Sequence, residues 1–259
     1  MGKGQARKPE VPADLIAADA DARHFTRVSL LALGLLYAHF LLTLPGWLPY
    51  WTFLCAAPVL VVRWMLSVHE LFHLRTAARV DPVTRLLPLA LSPFTLGYRE
   101  MMDVHLRHHR LTATPEDSEY FQLRGPPWLG FVNALSAPEQ AFCRWVAGRG
   151  MDRPLWSGML ARLGLFGLLA WVAGAAFWAW WIPVRLALGV GNFSFFYLLH
   201  RRGGAYGTFP LDLPEWASRA FCLLFGREAM LATCHHDVHH AHPRVAVRHL
   251  PAARAYLPG

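Results

Sequence analysis

A chain of 259 residues, 54% hydrophobic with a mean hydropathy of +0.26, gathers its apolar residues in charge-free blocks, which excludes an ordinary soluble domain and fits one membrane-embedded domain. The 25 Lys and Arg against 17 Asp and Glu give a formal charge of +8. The basic residues are nearly all Arg and flank the apolar blocks, which reads as basic loops on a cytoplasmic face rather than a nucleic-acid surface. The four cysteines (Cys55, Cys143, Cys222 and Cys234) have no paired spacing and read as reduced thiols.

Residues 1–27 are polar and of mixed charge, form a cytoplasmic N-terminal segment without a cleavable signal, and suggest an amphipathic lead-in helix from Pro12 onward. Between Val28 and Val62 there are 35 residues without one acid or base. That is too long for a single span of about 20 residues. The run breaks at Pro45-Gly46-Trp47-Leu48-Pro49, so it predicts a helical hairpin over roughly 28–44 and 50–68, with Trp47, Tyr50 and Trp51 at the far interface. The apolar stretch Leu86–Gly97 holds two prolines and is too short to cross, so an interfacial helix is expected there.

A second hairpin is expected later. Leu163–Val184 and Leu186–Leu199 are free of charge, Arg185 alone separates them, and the aromatic, Pro-marked turn is placed near Trp178–Pro183. The basic segments before, between and after the hairpins put both termini and the central segment 69–157 in the cytoplasm. The fold class is therefore all-α and integral to the membrane, with four transmembrane helices in two hairpins. The membrane domain is set at 28–251, with a C-terminal tail over 252–259.

The 14 histidines are not scattered. His69-Glu-Leu-Phe-His73 follows the second span, His105-Leu-Arg-His108-His109 lies in the central segment, and His235-His236-Asp-Val-His239-His240 follows the fourth span. His200 closes that fourth span. On a helix, residues i, i+3 and i+4 share a face. His69 and His73 therefore point one way, and His105, His108 and His109 form one patch, as do His236, His239 and His240. With His200 that makes nine imidazoles at one membrane depth. A tetrahedral zinc takes four ligands, whereas nine suffice for two metals, and an imidazole shell with an open position suits O2-activating iron. Carboxylates usually orient such ligands from behind. Glu70, Asp103 and Asp237 lie beside box histidines, His235 is a further neighbour, and Glu116, Asp117 and Glu119 follow the second box. His24, His39, His242 and His249 read as surface or packing residues.

These boxes, in this order, resemble the membrane fatty acid desaturase superfamily, which includes acyl desaturases, lipid hydroxylases, and carotenoid and alkane-type hydroxylases. The tail His236-Asp-Val-His-His-Ala-His-Pro243 with Leu250-Pro251 is similar to that family's third box, and the likeness covers roughly residues 28–251. It implies four helices as a stem and a helical cytosolic cap holding a di-iron centre. It also implies O2-dependent attack on an unactivated C–H bond of a lipid or other apolar substrate, giving a double bond or a hydroxyl. Carried over residue by residue, the iron ligands would be His69, His73, His105, His108, His109, His200, His236, His239 and His240. The first box has three intervening residues, and Phe196 stands one turn before His200 where acyl-CoA desaturases have Asn. Both differences turn the expectation away from an acyl-CoA substrate.

An intramembrane zinc protease built on His69, Glu70 and His73 is the competing reading, though it leaves the other two boxes idle. The chain has no dinucleotide-binding glycine fingerprint and no iron–sulfur cysteine spacing. Electrons are therefore expected from an external ferredoxin, rubredoxin or cytochrome b5 with its reductase. An acidic carrier would be drawn to Arg75, Arg79, Arg85, Arg99, Arg107, Arg110, Arg244 and Arg248. A bacterial cytoplasmic membrane is the expected location.

Overall fold

The computed structural model describes residues 10–74, 92–200 and 206–257. Among them the fold is helical, with one isolated bridge, Ile16 to Val245, in place of any strand. The first half of the Leu86–Gly97 stretch, with Arg75, Arg79 and Arg85, lies outside the described residues, and its second half, 92–97, is not the expected helix.

Helix α1 (Asp19–Thr43) and helix α2 (Tyr50–Leu74) form the expected first hairpin. The chain reverses through Gly46 at φ 78°, a left-handed conformation glycine adopts without steric cost, and the Leu48 amide closes the turn on the Leu42 carbonyl at 3.1 Å. Instead of a lead-in helix, the N-terminal segment makes a short 3₁₀ turn at Ala13–Leu15 and an extended strip. That strip pairs with the tail of the third box, Ala17 N–H to Arg244 O and Ala246 N–H to Leu15 O, both at 2.9 Å. Asp21 accepts from the Ala18 amide at 2.8 Å and also pairs with Arg248. The start of α1 is thereby tied to the histidine-bearing C-terminal region.

Helix α3 (Tyr98–Leu111) carries the second box. Helices α4 (Pro127–Leu135) and α5 (Ala137–Arg149) lead to helix α6 (Arg153–Ala173) and helix α7 (Ala175–Asn192). The turn between α6 and α7 falls at Gly174, φ 52°, and not at Trp178–Pro183. Pro183 sits inside α7, where it cannot donate to the carbonyl four residues back. That carbonyl, Ala179 O, accepts instead from the Tyr50 hydroxyl at 2.6 Å, so the first hairpin supplies the missing bond. Arg185 is likewise not in a turn. It lies buried within α7 and pairs with Glu139 of α5, which compensates its charge.

Three helices among the described residues are long and apolar enough to cross a membrane: Asp19–Thr43, Tyr50–Leu74 and Arg153–Ala173. The chain beyond α7 continues as a π-helical turn, Phe193–Leu198, and reaches His200. Helix α8 (Glu215–Phe225), helix α9 (Arg227–Cys234), helix α10 (His236–Ala241) and helix α11 (Leu250–Ala253) complete the fold. One core joins the spans to this last region: Leu36, Phe53, Val61, Leu71 and Val184 belong to the same buried cluster as Val238 and Leu250. Burying such side chains contributes roughly 1.5–3 kcal/mol each, which fixes α10 against the end of α2.

Candidate metal centre

All nine histidines expected as ligands meet in one place. His69, His73, His105, His109 and His239 bring ligand nitrogens within 4.8 Å of one another, and His108, His200 and His240 form a second such group. His236 adjoins the second group, its Nε2 3.1 Å from that of His240. The elements explain the convergence. α2 delivers the first box at its last turn, and α3 crosses it with the second. The π-turn resets the register of the helix end that carries His200, a distortion often found at functional sites.

Backbone and side-chain acceptors orient the rings. His200 Nδ1–H donates to the carbonyls of Phe195 and Phe196 at 3.2 and 3.1 Å, and His236 Nδ1–H donates to Ala232 O at 3.2 Å. The Thr112 hydroxyl gives its proton to His108 O at 2.7 Å, so at 2.9 Å it must accept from His240 Nδ1–H. His108 Nδ1–H donates to Asp117 and His69 Nδ1–H to Glu70, at 2.8 and 2.9 Å.

In a neutral ring each of these bonds leaves Nε2 as a bare lone pair. The lone pair of His240 lies 3.2 Å from that of His200 and 3.1 Å from that of His236, with no proton left to place in either contact. Such contacts are repulsive unless a cation sits among them. Two nitrogens about 2.1 Å from one metal at a right angle are about 3 Å apart, the spacing seen. In the five-ring group, His73 and His105 bring their Nε2 atoms to 2.8 Å, and His105 and His109 theirs to 3.1 Å. His239 has a partner at neither nitrogen, and Nε2 of His69 has none. Buried donors and acceptors are seldom left so, and a metal ion satisfies them. The residues fit two metals.

Electrostatics agree. Burial pushes the rings of His105, His109, His236 and His240 well below the usual imidazole range, and that of His239 down to about 4. They are neutral at pH 7, the form that ligates. His108 is the exception. Burial would lower it, but the hydrogen bond to Asp117 and the Glu119 and Asp117 charges outweigh burial and raise it.

The expected supporting residues divide. Glu70 reaches a ring. Asp103 does not: it lies two residues from His105, on the opposite face of α3, and pairs with Arg149 at 2.7 Å. Asp237 pairs with Arg254 at 3.0 Å, and Arg254 also donates to His235 Nδ1 at 3.2 Å, so both stand behind the box rather than on its rings. Asp117 is the carboxylate that orients His108. Thr112 and the three backbone carbonyls have no sequence signature beyond Thr112 lying four residues after His108. His24, His39, His242 and His249 stay outside: His24 lies 3.7 Å from Glu228, and the others bond to Thr52, Tyr256 O and Arg248. A cavity of ≈160 Å³ opens beside the first group, with His69 and His105 in its lining and walls that include Trp64, Phe72 and Met101.

The sequence matches the family described as fatty acid desaturase over residues 45–259. No curated protein and no solved structure matches.

Proposed function

The chain belongs to the fatty acid desaturase family, which makes it an oxidoreductase of desaturase or hydroxylase type, and we propose that it is a membrane di-iron oxygenase acting on an apolar substrate. The observation that carries this reading is the convergence of nine buried or half-buried imidazoles with lone pairs facing one another. His69, His73, His105, His109 and His239 would hold one iron, and His108, His200, His240 and His236 the other. Bound there, the irons would activate O2 for attack on an unactivated C–H bond, yielding a double bond or a hydroxyl, with two electrons from outside. The chain's own residues do the rest. Trp64, Phe72 and Met101 exclude water from the substrate, and Glu70 and Asp117 fix ring orientation.

Nothing favours the zinc protease. Glu70, its required base, is committed to His69. In the proposed topology α7 is the fourth span, and the histidines and both termini face the cytoplasm of a bacterial membrane. The exposed Arg99, Arg107, Arg110, Arg244 and Arg248 support this orientation and offer a surface to an acidic ferredoxin, rubredoxin or cytochrome b5.

The test is reconstitution. Iron-loaded protein with an apolar substrate, O2 and NAD(P)H alone should be inactive. Adding a carrier with its reductase should start turnover, and rising salt should slow it. Peptide-bond cleavage that depends on zinc would overturn the proposal.

A further inference from the structure

The cavity beside His69 and His105 is apolar on most of its wall, yet Glu119 and Gln122 line it almost fully buried, 8% and 2% exposed. They touch each other: Gln122 Nε2 donates to Glu119 Oε1 at 3.4 Å. The outer atoms of the pair, Glu119 Oε2 and Gln122 Oε1, have no partner. Elsewhere in the lining, Asn192 Nδ2 donates to the Ala134 carbonyl and Ser92 Oγ accepts from the Phe94 amide. Nor does the pair orient a metal-site ring, since Asp117 holds His108 and its other oxygen accepts the Glu119 amide at 2.9 Å. Leaving two buried oxygens unpaired is costly, so a donor carried by the cavity's occupant would be favoured beside them.

We propose that Glu119 and Gln122 form a hydrogen-bonding subsite for a hydroxyl carried by the substrate, so that the substrate class is a hydroxylated apolar molecule rather than a plain hydrocarbon. The inference rests on the cavity being the substrate site of the oxygenase. Burial, with the Asp117 charge adding to it and His108 opposing, raises the Glu119 carboxyl to about 7. A hydroxyl can donate to the ionised carboxyl and accept from the protonated one, whereas an amide N–H serves only the first.

The test is scintillation-proximity binding of labelled dodecanol, its methyl ether and dodecane to the full-length protein in detergent, with each affinity corrected for that ligand's partitioning measured in protein-free micelles. Wild type should prefer the alcohol over the ether by about tenfold, one to two hydrogen bonds' worth. Glu119→Leu and Gln122→Leu should collapse that ratio toward one, while Glu119→Gln, which still accepts, should keep most of it. Equal binding of alcohol and ether by wild type overturns the inference, as does a preference that survives in both Leu variants. If the Leu variants do not fold, the wild-type and Glu119→Gln ratios decide it. Iron measured on the same samples separates the readings. Two irons without an alcohol preference sink the subsite alone, and a preference without iron sinks the oxygenase alone.

Discussion

The two histidine groups differ in how they are held. In the second group, His108, His200 and His240 with the adjoining His236, each ring has an Nδ1 acceptor, and all four are buried. None of the four lines the cavity. In the first group, His69 is fixed by Glu70, but His239 has no partner at either nitrogen and His109 none at Nδ1. His73 and His109 are partly exposed, and His69 and His105 face the cavity. One group is a preorganised socket. The other has fewer constraints on the side that opens to the cavity. Rigid support and open access compete for the same ring faces, and the two sites divide them.

The largest effects come from removing a ring. His69→Ala, His239→Ala and His108→Ala should each abolish turnover while leaving the protein in the membrane, because the spans are apolar without them. Full activity in any of the three, measured by product formation, would break the assignment.

Removing an anchor tests the contrast directly. Asp117→Asn should cost about 10- to 100-fold in iron affinity, the usual effect of losing a ligand's supporting partner. Asp103→Asn, whose carboxylate pairs with Arg149, should leave affinity within about threefold. Competition with a chelator measures both, and equal losses would erase the distinction drawn here.

Acid should follow. For the metal-free protein, His239 takes its proton only near about 4 when folded, against the ordinary 6.5 when unfolded. Between those values the unfolded chain binds more protons, so stability is present above 6.5 and is lost as pH falls toward 4. His105, His109, His236 and His240 act in the same direction, and His108, raised, acts against them. Thermal unfolding across this range should show the midpoint dropping with acid. A midpoint that rises would contradict the neutral cluster.

The smallest expected effect lies in the scaffold. Tyr50→Phe frees the Ala179 carbonyl and should cost about 1 kcal/mol without changing iron content.

The convergence of the box histidines was legible because spacing on a helix decides which rings share a face, and eight of the nine obey it, His200 standing alone. The first hairpin was legible from Pro45 to Pro49, where proline and glycine end α1 without help from elsewhere. The second turn was not. Pro183 reads as a break in isolation, but the Tyr50 hydroxyl, on the other hairpin and 129 residues from Ala179, supplies the bond that the proline cannot. Gly174, the real turn, sits in a run of small residues that gives no contrast. Arg185 interrupts the apolar run in sequence, but its pairing with Glu139 lets it lie inside α7. The supporting shell was half hidden for a related reason. Glu70 is adjacent to its ring in sequence, but Asp117 reaches His108 around a loop, and the carbonyls of Phe195, Phe196 and Ala232 leave no trace in residue identity.

Metal stoichiometry tests the central claim most directly. Elemental analysis of iron-supplemented, detergent-purified protein should find close to two Fe per chain and little Zn, one for each histidine group. One equivalent of Zn per chain, with no iron-dependent activity, would contradict it.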